Sequence, residues 1–141
     1  MSPTNLRIII GLILFAHGIG HSMALFPALN ITSTDSWHHH SWLLTPLIGD
    51  TASRVISIIL FGTALIGFIG AALGLMDWLV PHEIWRTLAV FSAVISLAAL
   101  ALFWNSFVAF FPNKIGAIAV NIAVLVCLLW LDWPAEADIG Y

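Results

Sequence analysis

The spacing of charges constrains this chain more than any other feature. Within 141 residues, charged side chains leave four long uninterrupted stretches, at 8–34, 55–76, 87–113 and 115–131. About 20 apolar residues cross the hydrocarbon layer of a bilayer as an α-helix. None of the stretches shows the period-two alternation of a membrane strand. Backbone polar groups in lipid have to be satisfied within their own segment, so each stretch is expected to be helical. The expected spans are residues 6–26, 53–76, 84–104 and 114–130. The expected fold class is all-α, an integral membrane four-helix bundle, forming a single membrane domain over residues 1–141.

Composition excludes the main soluble alternatives. The chain is 61% hydrophobic and 8% charged, with a mean hydropathy of +1.05. Soluble domains run near half apolar and about a quarter charged, and a small globule leaves too much surface exposed to hide this excess. Four Lys and Arg residues in the whole chain are too few to neutralise a phosphate backbone, which excludes a nucleic-acid partner. The expected partners are membrane lipid and other membrane subunits. The single cysteine, Cys127, excludes an internal disulfide and a CxxC redox pair. It lies in an apolar run and reads as an inert thiol.

Punctuation residues agree with this division. Pro3, Pro27, Pro46, Pro81, Pro112 and Pro134 all fall outside the expected spans, as expected for a residue that disrupts helix interiors. Trp42, Trp78, Trp85, Trp104, Trp130 and Trp133 fall at or near span ends, where amphipathic rings favour the headgroup level. Arg7 followed by an apolar run resembles a secretory signal. The run is longer than a signal core and no small-residue cleavage pattern follows it, so the segment is expected to remain as a span. An even span number puts both termini on one side, taken as cytoplasmic, although the positive-inside count is tied, with Arg7 and Arg86 against Arg54 and Lys114. The connection at 27–52 is long for a helical hairpin, and its apolar residues place it in the membrane interface. The acidic tail at 132–141 reads as a solvated end.

Small residues mark expected packing seams, because they let membrane helices approach closely. Gly11, Gly18 and Ser22 share one stripe of the first span. Thr63, Gly67, Ala71 and Gly70, Gly74 do so in the second, and Gly116, Ala123 and Cys127 in the fourth. Spans one, two and four are expected in close contact.

The histidines form the chief chemical constellation. His17 and His21 lie one turn apart on one helical face near the middle of the first span. An ionisable residue at membrane depth turns toward the bundle interior or a hydrated cavity. The loop adds His38, His39 and His40 on the same side, with Asp35 and Asp50 nearby, and these three read first as a solvated or interfacial tract. Three readings stay open for His17 and His21. They are neutral imidazoles bonded to helix carbonyls, water or lipid headgroups; a pocket for quinone or another lipophilic ligand; or a zinc or copper site formed by His17, His21, His38, His39 and His40. A carboxylate such as Asp50 would then serve as a further ligand or an outer acceptor. Asn121 is a second polar residue at mid-depth and reads as interhelical polar glue, with His17 as an attractive partner.

The remaining charges read as local. Asp50 with Arg54 and Glu83 with Arg86 stand at helix starts at pairing distance. No Ser–His–Asp order, phosphate loop or pair of buried carboxylates appears, so hydrolase and nucleotide-driven readings lack residues.

The first span also resembles a known family. Arg7, the apolar run with Gly11, and the His17-Gly18 pair look like the opening helix of DoxX-like small membrane proteins, which have four spans and about this length. The resemblance in motif covers about the first 20 residues; His21 and the His38–His40 tract depart from the pattern. It implies a four-helix membrane protein, and some family members are subunits of a thiosulfate:quinone oxidoreductase. The leading expectation is an accessory or structural subunit of a larger membrane complex without catalysis of its own. The alternatives are an oxidoreductase component holding quinone or another lipophilic ligand beside His17 and His21, with Asn121 as a further ligand-binding residue, and the histidine metal site.

Overall fold

The computed structural model describes residues 2–107 and 113–141. Its regular structure is helical, and among the described residues the one β-type pairing is an isolated bridge between Thr34 and Trp37. Helix α1 covers Pro3–Gly20 and α2 covers Ser22–Ala28. Ser2 caps α1 by accepting from the Asn5 backbone N–H at 3.2 Å, and Pro3 begins the first turn, where no N–H partner is needed. Helix α3 covers Leu44–Ile48 and α4 covers Asp50–Leu75. Gly49 joins them at φ +84°, a conformation that glycine adopts without steric cost. A 3-10 turn at His82–Ile84 leads into α5, Trp85–Leu102. Helix α6 covers Ile115–Leu125, continues through a π turn at Val126–Trp130, and is followed by a short α7, Glu136–Ile139.

Three helical runs are long and apolar enough to cross a membrane: Pro3–Ala28, Asp50–Leu75 and His82–Leu102. Ile115–Trp130 is apolar but shorter, about 24 Å at the helical rise.

Besides Pro3 in the first turn of α1, two prolines outside the expected spans lie inside helices. Pro27 sits inside α2 and Pro46 inside α3. A proline in a helix leaves the carbonyl four residues back without its donor. For Pro27 that carbonyl is Met23 O, and the Trp37 indole N–H donates to it at 3.0 Å. Pro46 falls in the first turn of α3, where backbone N–H groups have no intrahelical acceptor. Pro112 lies outside the described residues.

Helix α4 is the centre of the assembly, packed against α1 and α2 on one side and α5 on the other, with α6 seated on α5. Small residues set these approaches. A Cβ on Gly18 would lie 3.0 Å from the Phe68 Cβ and 3.2 Å from Leu65 O, so α1 and α4 are in backbone contact there. Gly67 faces Ser92, and Gly74 faces the Trp85 Cβ across the α4–α5 seam. Close approach of this kind gains dispersion contacts along the whole helix pair. The close packing expected between spans one and four is not seen: α1 and α6 stand apart along most of their length and meet through His17 and Asn121. Trp85 also differs from expectation. It is buried in the core cluster with Leu14, Phe68 and Leu75 and is not an interfacial anchor, because Gly74 leaves room for it. Its indole N–H is buried without a partner among the described residues. The other five span-end tryptophans stay at least partly exposed.

Both ends of the bundle are closed by polar contacts. The 29–43 loop covers the end of α5. Ser41 Oγ donates to Leu102 O, the Trp42 indole donates to Ala101 O at 2.8 Å, and Ser106 Oγ donates to His40 O at 2.8 Å. The last carbonyls of a helix have no intrahelical donors, and the loop supplies them. At the opposite end the acidic tail is docked, contrary to the solvated end read from its charge. Ile139 is fully buried, Tyr141 stacks on His82 at 3.6 Å between ring centroids, and His82 Nε2 meets Glu136 Oε2 at 2.8 Å. Arg86 pairs with Asp132 at 2.7 Å and with Glu136 at 3.6 Å, and donates to Pro134 O, instead of pairing with Glu83. The tail folds back because its apolar Ile139 finds a site and its acids find cations. The expected Asp50–Arg54 pair is present at 3.2 Å.

Candidate functional site

Helix α1 ends at Gly20, and His21 forms the joint with α2. One turn earlier on the same face stands His17, so the two imidazoles meet edge to face with centroids 4.9 Å apart. Phe68 of α4 packs against both, edge-on to His17 at 4.7 Å and parallel to His21 at 5.9 Å. This ring is in place because Gly18 lets α1 close onto α4 at Phe68.

A hydrogen-bonded chain runs from these rings across the bundle. His17 Nε2 is 3.0 Å from Asn121 Oδ1, Asn121 Nδ2 donates to Ser96 Oγ at 2.6 Å, and Ser96 Oγ is 3.1 Å from His21 Nε2. Asn121 and Ser96 are fully buried, and His21 nearly so. With the amide oxygen toward His17, the donors run in one direction. Imidazole Nε2–H donates to the amide oxygen, the amide N–H donates to the hydroxyl, and the hydroxyl donates to the unprotonated Nε2 of His21. In this arrangement both imidazoles are neutral, every linking group is satisfied, and three helices are tied together. His17 Nδ1 is then an acceptor and His21 Nδ1 a donor, and neither has a protein partner among the described residues.

The two histidines line a cavity of about 320 Å³, walled also by Gly20, Phe61, Leu100 and Gly116. A second cavity of about 400 Å³ is apolar and is lined by Leu14, Trp85, Ala123, Cys127 and Leu128. Val120 borders both, so the two follow one another along the gap between α1 and α6. The fourth span's Gly116, Ala123 and Cys127 stripe, expected as a packing seam, instead lines these cavities. Small side chains leave room for a helix or for a ligand alike, and here α6 packs on α5 and leaves a gap toward α1.

The loop histidines belong to a different network. His39 is buried, and its Nε2 lies 2.8 Å from Asp50 Oδ1; His40 Nδ1 lies 3.7 Å from the same oxygen. Arg54 holds Asp50 Oδ2 at 3.2 Å and donates to Asn30 Oδ1 at 3.0 Å. Burial holds His38 below the usual imidazole range, and the neighbouring His40 and His39 add like-charge repulsion to this. Among the described residues, the metal-ligating side chains that converge in a group of three are His39, His40 and Asp50. Thus the five histidines considered together in the sequence divide into a central pair and a loop group.

Sequence reasoning singled out His17, His21 and Asn121, which the structure joins, but passed over Ser96, which links them. The available signal was Ser92 and Ser96 four residues apart in an otherwise apolar helix. Compared with family models, curated proteins and solved structures, the chain finds no match.

Proposed function

We propose that this chain is a four-helix integral membrane protein of the DoxX-like kind that holds a lipophilic molecule with a hydrogen-bonding head, of the quinone class, beside His17 and His21. In this reading the fourth span is Ile115–Trp130, both termini lie on the cytoplasmic side, and the protein is an accessory component of a larger membrane complex whose partner subunits carry the chemistry. The resemblance at Arg7, Gly11, His17 and Gly18 supports the family assignment.

The carrying observation is the pair of unpartnered Nδ1 atoms on rings that line a cavity. Ligand pockets are mostly apolar, of about 300–1,000 Å³, with a few polar groups that fix orientation. One donor and one acceptor on adjoining rings suit a head that carries a carbonyl or hydroxyl oxygen. A quinone fits this set: the His21 Nδ1–H would hold a carbonyl, and His17 Nδ1 would accept from a hydroxyl of the reduced form. Redox chemistry would come from the quinone; the chain supplies binding, orientation and a dry surrounding. The second cavity, continuing past Val120, has the apolar character required by a hydrocarbon tail.

The test is titration of a short-tailed benzoquinone into the purified full-length protein, in the wild type and in a His17→Leu/His21→Leu double variant. Saturable binding that falls by at least about tenfold in the variant, the effect of losing roughly 1.4 kcal/mol of hydrogen bonding, is expected. Equal binding by both proteins removes the proposal.

A further inference from the structure

We propose that His39, His40 and Asp50 form a binding site for one transition-metal cation of the zinc class, at the loop end of the bundle. The site is separate from the central cavity, and it does not rest on the reading of that cavity.

The three ligand atoms lie within 4.8 Å of one another. Tetrahedral zinc with bonds of about 2.0–2.2 Å places its ligand atoms roughly 3.3 Å apart. The two separations to Asp50 Oδ1, 2.8 Å from His39 and 3.7 Å from His40, fall on either side of that value. The remaining pair, His39 with His40, lies within 4.8 Å, so side-chain shifts of about 1.5 Å or less bring the set to a metal-binding geometry. Two imidazoles and a carboxylate also match the ligand preferences of zinc.

The ligands are held by structure outside the cluster. Asp50 opens α4, immediately after the Gly49 turn. The His39–His40 segment is fastened to the end of α5 by Ser41, Trp42 and Ser106. Arg54 holds the far carboxylate oxygen, Oδ2, at 3.2 Å and so leaves Oδ1 toward the imidazoles. Outer contacts of this kind orient ligands and tune affinity. The same guanidinium nitrogen lies 3.3 Å from His39 Nε2, so cation binding requires it to withdraw onto Oδ2. The open side of the cluster faces a polar cleft of about 390 Å³ lined by Ser33, Thr34, Asp35 and the three histidines. Water, or a further group from that cleft, would complete the fourth position.

The test uses full-length protein without a histidine tag. Zn²⁺ is titrated by calorimetry, and metal content is measured after dialysis. One equivalent per chain is expected, weakened by at least about tenfold in His40→Gln and in Asp50→Asn. His40 is partly exposed and its side chain serves no core contact, so H40Q keeps the test valid if D50N folds poorly. Co²⁺ at the site should give the intense visible bands of a four-coordinate ion, absent in H40Q. The His17→Leu/His21→Leu variant should bind Zn²⁺ as the wild type does. No uptake, uptake indifferent to H40Q and D50N, or uptake lost with His17 and His21 would each overturn the proposal.

Discussion

His17 reaches Asn121 across the gap between α1 and α6, Nε2 to Oδ1 at 3.0 Å, although the two helices barely touch otherwise. The link is therefore a main direct tie between them. Interhelical hydrogen bonds in membrane bundles average about 0.6 kcal/mol and reach about 1.7 kcal/mol. A double-mutant cycle of His17→Leu and Asn121→Leu, read by thermal unfolding in detergent, should return a coupling in that range. Additive effects would mean that the contact contributes nothing.

Gly18 and Gly20 are two residues apart and should respond oppositely to enlargement. A Cβ at Gly18 is already crowded by Phe68 and Leu65 O, whereas one at Gly20 meets nothing within 4 Å. Gly18→Leu should destabilise by about 1–3 kcal/mol or more through overpacking of the α1–α4 seam. Gly20→Leu should fold normally and project into the central cavity, which Gly20 lines. Melting temperatures of the two variants check the first half, and benzoquinone affinity of G20L checks the second, with a loss of at least about tenfold expected.

The docked tail makes a third prediction. Fully buried Ile139 should matter more than the exposed ion pairs around it. Ile-to-Ala changes in cores cost about 2–5 kcal/mol, whereas exposed pairs contribute about 0–1 kcal/mol. In Ile139→Ala, hydrogen exchange at residues 132–141 should accelerate strongly while α4 and α5 stay protected. Glu136→Gln should produce a much smaller change. A uniform response over the chain would show that the tail and the bundle unfold as one unit.

The helices were legible because charge is costly in apolar surroundings: Arg7, Arg54, Arg86 and Lys114 mark their starts almost without reference to anything else. The polar residues of the centre were legible for the same reason, since His17, His21 and Asn121 interrupt apolar runs. Ser96 was not, because a serine in a helix can bond its own backbone and so announces no partner. The partner of the Gly116, Ala123 and Cys127 stripe was hidden as well. Small residues specify room, and only the tertiary arrangement decides what fills it. Net charge misled at the tail, where its acids meet Arg86 and His82 and Ile139 is buried. Trp85 was misread because position near a span end says nothing of the glycine across from it.

The central claim is tested most directly by mass spectrometry of the organic extract from protein purified with its native lipids. A lipophilic molecule bearing a carbonyl or hydroxyl head should be enriched over bulk lipid toward one equivalent per chain, and it should be lost in the His17→Leu/His21→Leu variant. An extract matching bulk lipid, or one identical in wild type and variant, would contradict the assignment of the His17–His21 cavity as a ligand site.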